Sequence, residues 1–298
     1  MTKIVQSFWS KPCLQNRHDG NHGGWVDKKY HYFSWAFSAL QLSTFYDDLE
    51  LVTDRWGKTL LIDHLALPYT TVKVELDRLA PYPAAFWALG KIYAYSIQEH
   101  PFIHIDSDAY IWQRFEPRLE TAPLMTQSKE FDFPQLYEVA QKIEQAFPYL
   151  PACYKHERKH APTIQAYNAG IIGGHDLAFF KEYTTEVFRF VDHNRNHIHH
   201  IPEQDFGVVN VLYEQFLLHC LAKEKGTPVT CLISEAHLPR LQPVQMNYRR
   251  EMKQHRYLHA QFSHKQTQRM CQLLERWLKL SYPDTYYRIL HLLKTFRI

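Results

Sequence analysis

Short apolar runs alternate with helical periodicities along the first half of the chain. Lys3 to Trp9 reads as a first strand, and the aromatics from Tyr30 to Leu42 recur as in a helix lying on a sheet. Leu49 to Thr53 predicts a second strand ending at Asp54-Arg55-Trp56-Gly57, and Thr71 to Leu76 a third. Trp87 to Ile97 has helical spacing. Phe102 to Ile105 is a short buried strand that stops at Asp106. Farther on, Glu130 to Tyr149 predicts an amphipathic helix, Thr163 to Ile172 a strand and turn, and Leu177 to Asp192 and Glu203 to Leu221 two more helices. Val229 to Ile233 reads as a late strand, followed by loops rich in Pro, His and Arg. Cys271 to Leu280 and Tyr286 to Phe296 predict a helical tail. Strands alternating with helices imply an α/β fold with a mainly parallel central sheet flanked by helices.

Composition narrows the function classes. With ten glycines in 298 residues there is neither a phosphate-binding P-loop nor a GxGxxG fingerprint. A net charge of +3 gives no concentrated basic face, so no nucleic-acid partner is expected. Basic residues do gather locally at Arg249, Arg250, Lys253, His255, Arg256, Lys265 and Arg269. Five scattered cysteines without a CxxC pair point to neither a disulfide framework nor a zinc site, and neither Cys153 nor Cys231 has a base partner in sequence. The first residues run into a strand without a signal-peptide core, and the apolar runs are too short for a membrane span. Cytoplasmic location without membrane association is therefore the expectation. Aromatics at 15% suit a pocket that stacks flat rings.

Four stretches carry the candidate chemistry. Asp106-Ser107-Asp108 follows a buried strand, which sets two hard carboxylates at the sheet edge where α/β folds bind ligands; such oxygens suit magnesium or manganese. Tyr167 to Gly174 holds Asn168, Ala169 and Gly170 in what reads as a small, backbone-exposing turn. Glu203-Gln204-Asp205 opens a helix, with Asn210 five residues after the aspartate. His259 and Lys265, six residues apart, offer an imidazole for a metal and an ammonium for a phosphate, and His264 is a rival ligand. The run His193 to His200 reads as a solvated loop, and Asp47, Asp48 and Glu50 as a surface turn.

The order Asp-x-Asp, Asn-Ala-Gly, Glu-Gln-Asp-x-x-x-x-Asn and His-x5-Lys resembles the GT-A glycosyltransferases, and most the glycogenin-like family 8 enzymes. The resemblance spans Lys3 to Lys265 in motif order and departs from the family at Glu203, at Ala260 to Phe262, where the glycine after the histidine is missing, and at Gln266, where proline is usual. It implies a GT-A domain over residues 1–265, with 266–298 as a helical extension packed on it. It also implies that Asp106, Asp108 and His259 hold Mn2+ or Mg2+ and that Lys265 contacts the donor diphosphate. Gln6, Ser7 and Phe8 would lie beside the base, and Asn168, Ala169, Gly170, Gln204 and Asp205 would face the sugar or acceptor. The implied activity is transfer of a hexose from a nucleoside diphosphate sugar, most simply a UDP-sugar, to an unidentified hydroxyl acceptor. Retention would put Gln204 near the reacting carbon; inversion would need Asp205 or Glu203 as base. The alternatives are a sugar- or nucleotide-binding protein without turnover, and a sugar-phosphate nucleotidyltransferase, whose glycine-rich loop only Gly20 to Gly24 approaches. The tail's Trp277, Tyr282, Tyr286, Tyr287, Arg288 and Arg297 would suit a core-packed helix or a membrane surface.

Overall fold

The computed structural model of the chain describes residues 2–15, 22–131, 134–161, 163–233, 253, 256–295 and 298. Its first elements are β1 (Lys3–Phe8), α1 (Lys28–Phe45), β2 (Leu49–Thr53), β3 (Thr71–Val74), α2 (Leu89–Ser96), β4 (Phe102–Ile105) and β5 (Ala109–Ile111). β6 (Leu124–Phe131), α3 (Pro134–Ala146), α4 (Ala152–His160), β7 (Gln165–Gly174), α5 (Leu177–Asn194), α6 (Phe206–Val211) and α7 (Leu217–Lys225) come next. β8 (Val229–Cys231), β9 (Tyr257–His259), α8 (Gln268–Ser281) and α9 (Pro283–Lys294) close the chain. The fold is α/β, with a mostly parallel seven-stranded sheet and flanking helices, as the alternation of apolar patterns implies. The chain divides into two compact units: Met1–Asp77 with Ile105–Phe115 and Leu238–Ile298, and Arg78–His104 with Glu116–His237.

In the first unit the strands run in the order β3-β2-β1, all parallel. Every residue of β2 is buried, because a strand inside a parallel sheet is covered on both faces. That corrects the surface turn expected at Glu50, which is 1% exposed and is paired with Lys3 of β1 at 2.7 Å and Lys73 of β3 at 3.1 Å. α1 is capped by Asp27, whose side chain accepts from the Lys29 amide, and is buried almost all round. A helix so enclosed needs apolar partners on several sides. α8 and α9 supply one side, with Phe37 stacked on Trp277 and Phe33 beside Tyr286. Those tail aromatics are thus core contacts, although Tyr287 stays 57% exposed; Arg297 lies outside the described residues. Among the described residues no helix is long and apolar enough to cross a membrane.

In the second unit the order is β4-β7-β6-β8, with β6 antiparallel to β7 and parallel to β8. Glu130 and Phe131 finish β6, so the helix expected from Glu130 begins only at Pro134. The turn expected within Tyr167 to Gly174 is instead the buried interior of β7. Its glycines serve packing. A Cβ at Gly173 would stand 2.1 Å from the Phe102 carbonyl oxygen and 2.7 Å from Ile103 Cα. Gly173→Ala is therefore expected to lower stability by about 3 kcal/mol, the scale of overpacking a core, read from the urea midpoint. The helix expected over Glu203 to Leu221 is segmented: a 3-10 turn at Glu203–Asp205, then α6, a π turn at Leu212–Phe216, and α7 with a left-handed cap at Gly226. The histidine run is helical too, since α5 extends to Asn194 and a 3-10 turn covers Arg195–His200.

Candidate metal centre

The first unit builds its site on the short link between β4 and β5. The Ala109 amide donates to the Asp106 carbonyl at 3.0 Å, which closes a tight turn over Asp106-Ser107-Asp108. α1 holds this link from below with one polar stripe at i, i+4 and i+7. Ser34 donates to the Ser107 carbonyl, Ser38 to that of Ala109 and Gln41 to that of Ile111, each at 2.8 Å. The Tyr110 hydroxyl bonds the Ser34 hydroxyl, and the Gln6 amide reaches Ser38 and the Ile105 carbonyl. Ser34, Ser38 and Gln41, spaced i, i+4 and i+7 among the apolar and aromatic residues of the helix interior, were the sequence signal for this cradle. Periodicity alone placed α1 on the sheet without showing which backbone it held.

β5 pairs antiparallel with β9, setting Ala109 opposite His259, and the Ala260 amide donates to the Asp108 carbonyl at 2.9 Å. His259 Nε2 is thereby 3.2 Å from Asp108 Oδ1 and 4.0 Å from Asp106 Oδ2, while Gln261 is bonded to Nδ1 and orients the ring. One ligand atom from each of Asp106, Asp108 and His259 lies within 4.8 Å of the others, the one such group of metal-ligating side chains found among the described residues. Two hard carboxylates and an imidazole fit Mn2+ or Mg2+ in chemistry. His264 is buried on the next 3-10 turn and is not one of the three.

Lys265 completes the arrangement. Its Nζ is paired with Asp108 Oδ2 and donates to the Gly23 carbonyl at 2.8 Å. Burial raises the Asp108 carboxyl, but the charges of Lys265 and His259 outweigh it and hold the group far below the usual carboxylate range. Gly23 and Gly24 both have positive φ, +62° and +86°, where side chains are disfavoured. Gly23 packs on His31 and Gly24 on Lys265, so these two glycines of the Gly20 to Gly24 stretch make a turn beside those side chains; Gly20 lies outside the described residues.

Burial pushes the His31 imidazole down to about 3, Lys265 and His22 adding to the shift and Asp108 opposing it. An unfolded histidine takes up a proton below about 6.5. In the window from about 6.5 down to about 3 the unfolded state therefore binds more protons than the native state, and stability falls as pH falls. The urea midpoint is expected to decline across that window, and His31→Phe to reduce the slope by at most about 1.4 kcal/mol per pH unit.

The remaining residues singled out in the sequence are less available. Gln6 is fully buried, its oxygen accepting from the Tyr69 hydroxyl; Phe8 is buried and Ser7 half-buried. In the second unit Asn168 is 3% exposed, donating to Glu130 and accepting from the Gly170 amide, and the buried Ala169 carbonyl accepts from Lys91. Glu203 and Gln204 are exposed, whereas Asp205 is paired with Lys142 at 2.6 Å. Asn210 is a structural clamp, bonded to Ala85, Ala88, Phe206 and Tyr213. The partners Glu130, Lys142 and Lys91 had no local sequence signal. Burial pushes the Cys153 thiol up to about 12, away from nucleophilic use. Of the local basic group, Arg249, Arg250 and His255 lie outside the described residues.

No curated protein matches the chain. Among solved structures it is similar to the bifunctional glycosyltransferase WbbM, with 14% identity and a TM-score of 0.44 over 87% of this chain and 45% of that one. It is also similar to the galactosyltransferase LgtC, with 14% identity and a TM-score of 0.38 over 71% and 70% of the two chains. The third is the glycosyltransferase GlyE of Streptococcus pneumoniae TIGR4, with 12% identity and a TM-score of 0.44 over 99% of this chain and 64% of that one. The chain thus spans less than half the length of WbbM and under two thirds of GlyE. Over residues 2–292 it matches DUF6734, a family of unknown function, and it belongs to that family.

Proposed function

We propose that this protein is a metal-dependent glycosyltransferase that takes a hexose from a nucleoside diphosphate sugar, most simply a UDP-sugar, and passes it to a hydroxyl acceptor. The observation that carries this reading is the convergence of Asp106, Asp108 and His259, with the Lys265 ammonium seated on the same carboxylate. A bound Mn2+ or Mg2+ would supply Lewis-acid charge to the departing diphosphate. Asp106, Asp108 and His259 would hold it; Lys265 would bind a diphosphate oxygen by a charge-assisted hydrogen bond. The α1 stripe keeps the Asp106–Asp108 backbone preorganised, which is where electrostatic catalysis draws its advantage. From the resemblance in motif order, residues 1–265 serve as the catalytic module and 266–298 as its extension. By the same motif order, Ser7 and Phe8 of the first unit would serve the base of the donor.

The test is release of nucleoside diphosphate from a panel of nucleotide sugars, followed by mass spectrometry of candidate glycan, peptide and small-molecule acceptors. Mn2+-dependent release from one nucleotide class supports the proposal. Nucleotide binding without release from any donor would favour a sugar-nucleotide-binding protein.

A further inference from the structure

Lys265 is unusual for a residue read as a phosphate contact, because it is already engaged. Its ammonium sits between Asp108 Oδ2 and the Gly23 carbonyl, with only 17% of its side chain exposed. Its stem is covered as well: a Cβ at Gly24 would stand 3.1 Å from Lys265 Cδ, and the neighbouring Gln266 amide reaches the Gly24 carbonyl. One carboxylate is thus shared between a metal-ligand group and an internal cation. Counting formal charges, Asp106 and Asp108 offer −2 to a dication, and Lys265 reduces this to −1. One of the two carboxylates in the metal-ligand group is therefore the one that the ammonium covers.

We propose that Lys265 guards the metal site. It occupies Asp108 while no donor is present and transfers to the donor diphosphate when one arrives, so that divalent metal and nucleotide bind as a coupled pair. This rests on the glycosyltransferase reading of the site. A diphosphate gives the ammonium an alternative anion, and freeing Asp108 raises its attraction for a dication. Linkage makes the effect reciprocal, metal strengthening nucleotide binding by the same factor.

The experiment is titration of the full chain with Mn2+, free ion being counted by electron paramagnetic resonance, with and without UDP. Wild type is expected to bind Mn2+ weakly alone and about tenfold or more tightly with UDP. Lys265→Gln is expected to bind Mn2+ alone about tenfold more tightly than wild type and to lose most of the gain from UDP. Lys265→Met, whose apolar stem keeps the packing under Gly24, should behave alike, and Lys265→Arg should restore the wild-type pattern. Thermal melts establish that each variant is folded. If wild type and both neutral variants bind Mn2+ equally without UDP, and Asp108→Ala abolishes that binding, the guard is refuted while the metal site stands. If no form binds Mn2+ with or without UDP, the metal-site reading itself fails.

Discussion

Replacing Asp108 by alanine is expected to lower the rate of donor turnover by about 10²–10³, the scale on which loss of one preorganised electrostatic group reduces catalysis. Asp108 has three duties. It is a metal ligand in the proposed site, the partner of Lys265, and the anion beside His259 Nε2. Its main-chain carbonyl would go on accepting from Ala260, so β5 and β9 should stay paired in the variant. The loss would therefore be local and electrostatic. Stability should fall as well, by about 3 kcal/mol, because Lys265 is left largely buried without its counter-charge. Rates of UDP release and urea midpoints of the same samples measure the two effects. A variant that kept full, metal-dependent turnover would remove Asp108 from the site.

The largest effect on stability alone is expected at Glu214. This residue lies in the π turn between α6 and α7, is 1% exposed, and is paired at 2.6 Å with Lys91 of α2. The same ammonium donates to the Ala169 carbonyl in β7, so a helix, a π turn and a strand meet at one buried charge. Burial, reinforced by Lys91, holds the nearby His104 imidazole well below its ordinary value and keeps it neutral. Glu214→Ala would strand Lys91 in this interior, a loss of about 3–5 kcal/mol. Replacing both partners, as Lys91→Met with Glu214→Leu, should recover most of that, since two apolar side chains of similar volume carry no desolvation penalty. Equilibrium urea unfolding of the two single variants and the double variant gives the coupling directly. A double variant as unstable as the single ones would show that the pair does more than neutralise itself.

Some of this protein was plain in its sequence. β2 and β4 begin and end where their short runs predict, because strands buried on both faces are dominated by apolar residues, Leu49, Leu51 and Val52 in one and Phe102, Ile103 and Ile105 in the other. The Asp106–Asp108 pair was legible for the same reason, since the end of β4 fixes where the carboxylates emerge. β7 was misread because Asn168, Gly170, Gly173 and Gly174 carry turn chemistry, and only the close approach of Phe102, Ile103 and Pro123 shows why two of those glycines sit in a strand. β6 escaped notice because Thr126 to Glu130 is polar, yet its pairing with β7 and β8 buries Thr126, Gln127 and Ser128. β5 and β9 are three residues each, and their pairing is a long-range event with no local signature. His259 was therefore reached through motif order rather than periodicity. The Lys265–Asp108 pair could not be read at all, because it depends on where a tertiary contact places a flexible side chain.

In the proposed site, Asp106, Asp108 and His259 bind a divalent cation that recruits a nucleoside diphosphate. Calorimetric titration of UDP into the full chain, once with Mn2+ and once with a chelator, tests it most directly, with Asp106→Ala and Asp108→Ala alongside. The expected result is saturable binding with Mn2+ that disappears with the chelator and in both variants. Equal UDP binding in the presence of Mn2+ and of chelator, unchanged by either substitution, would contradict the claim.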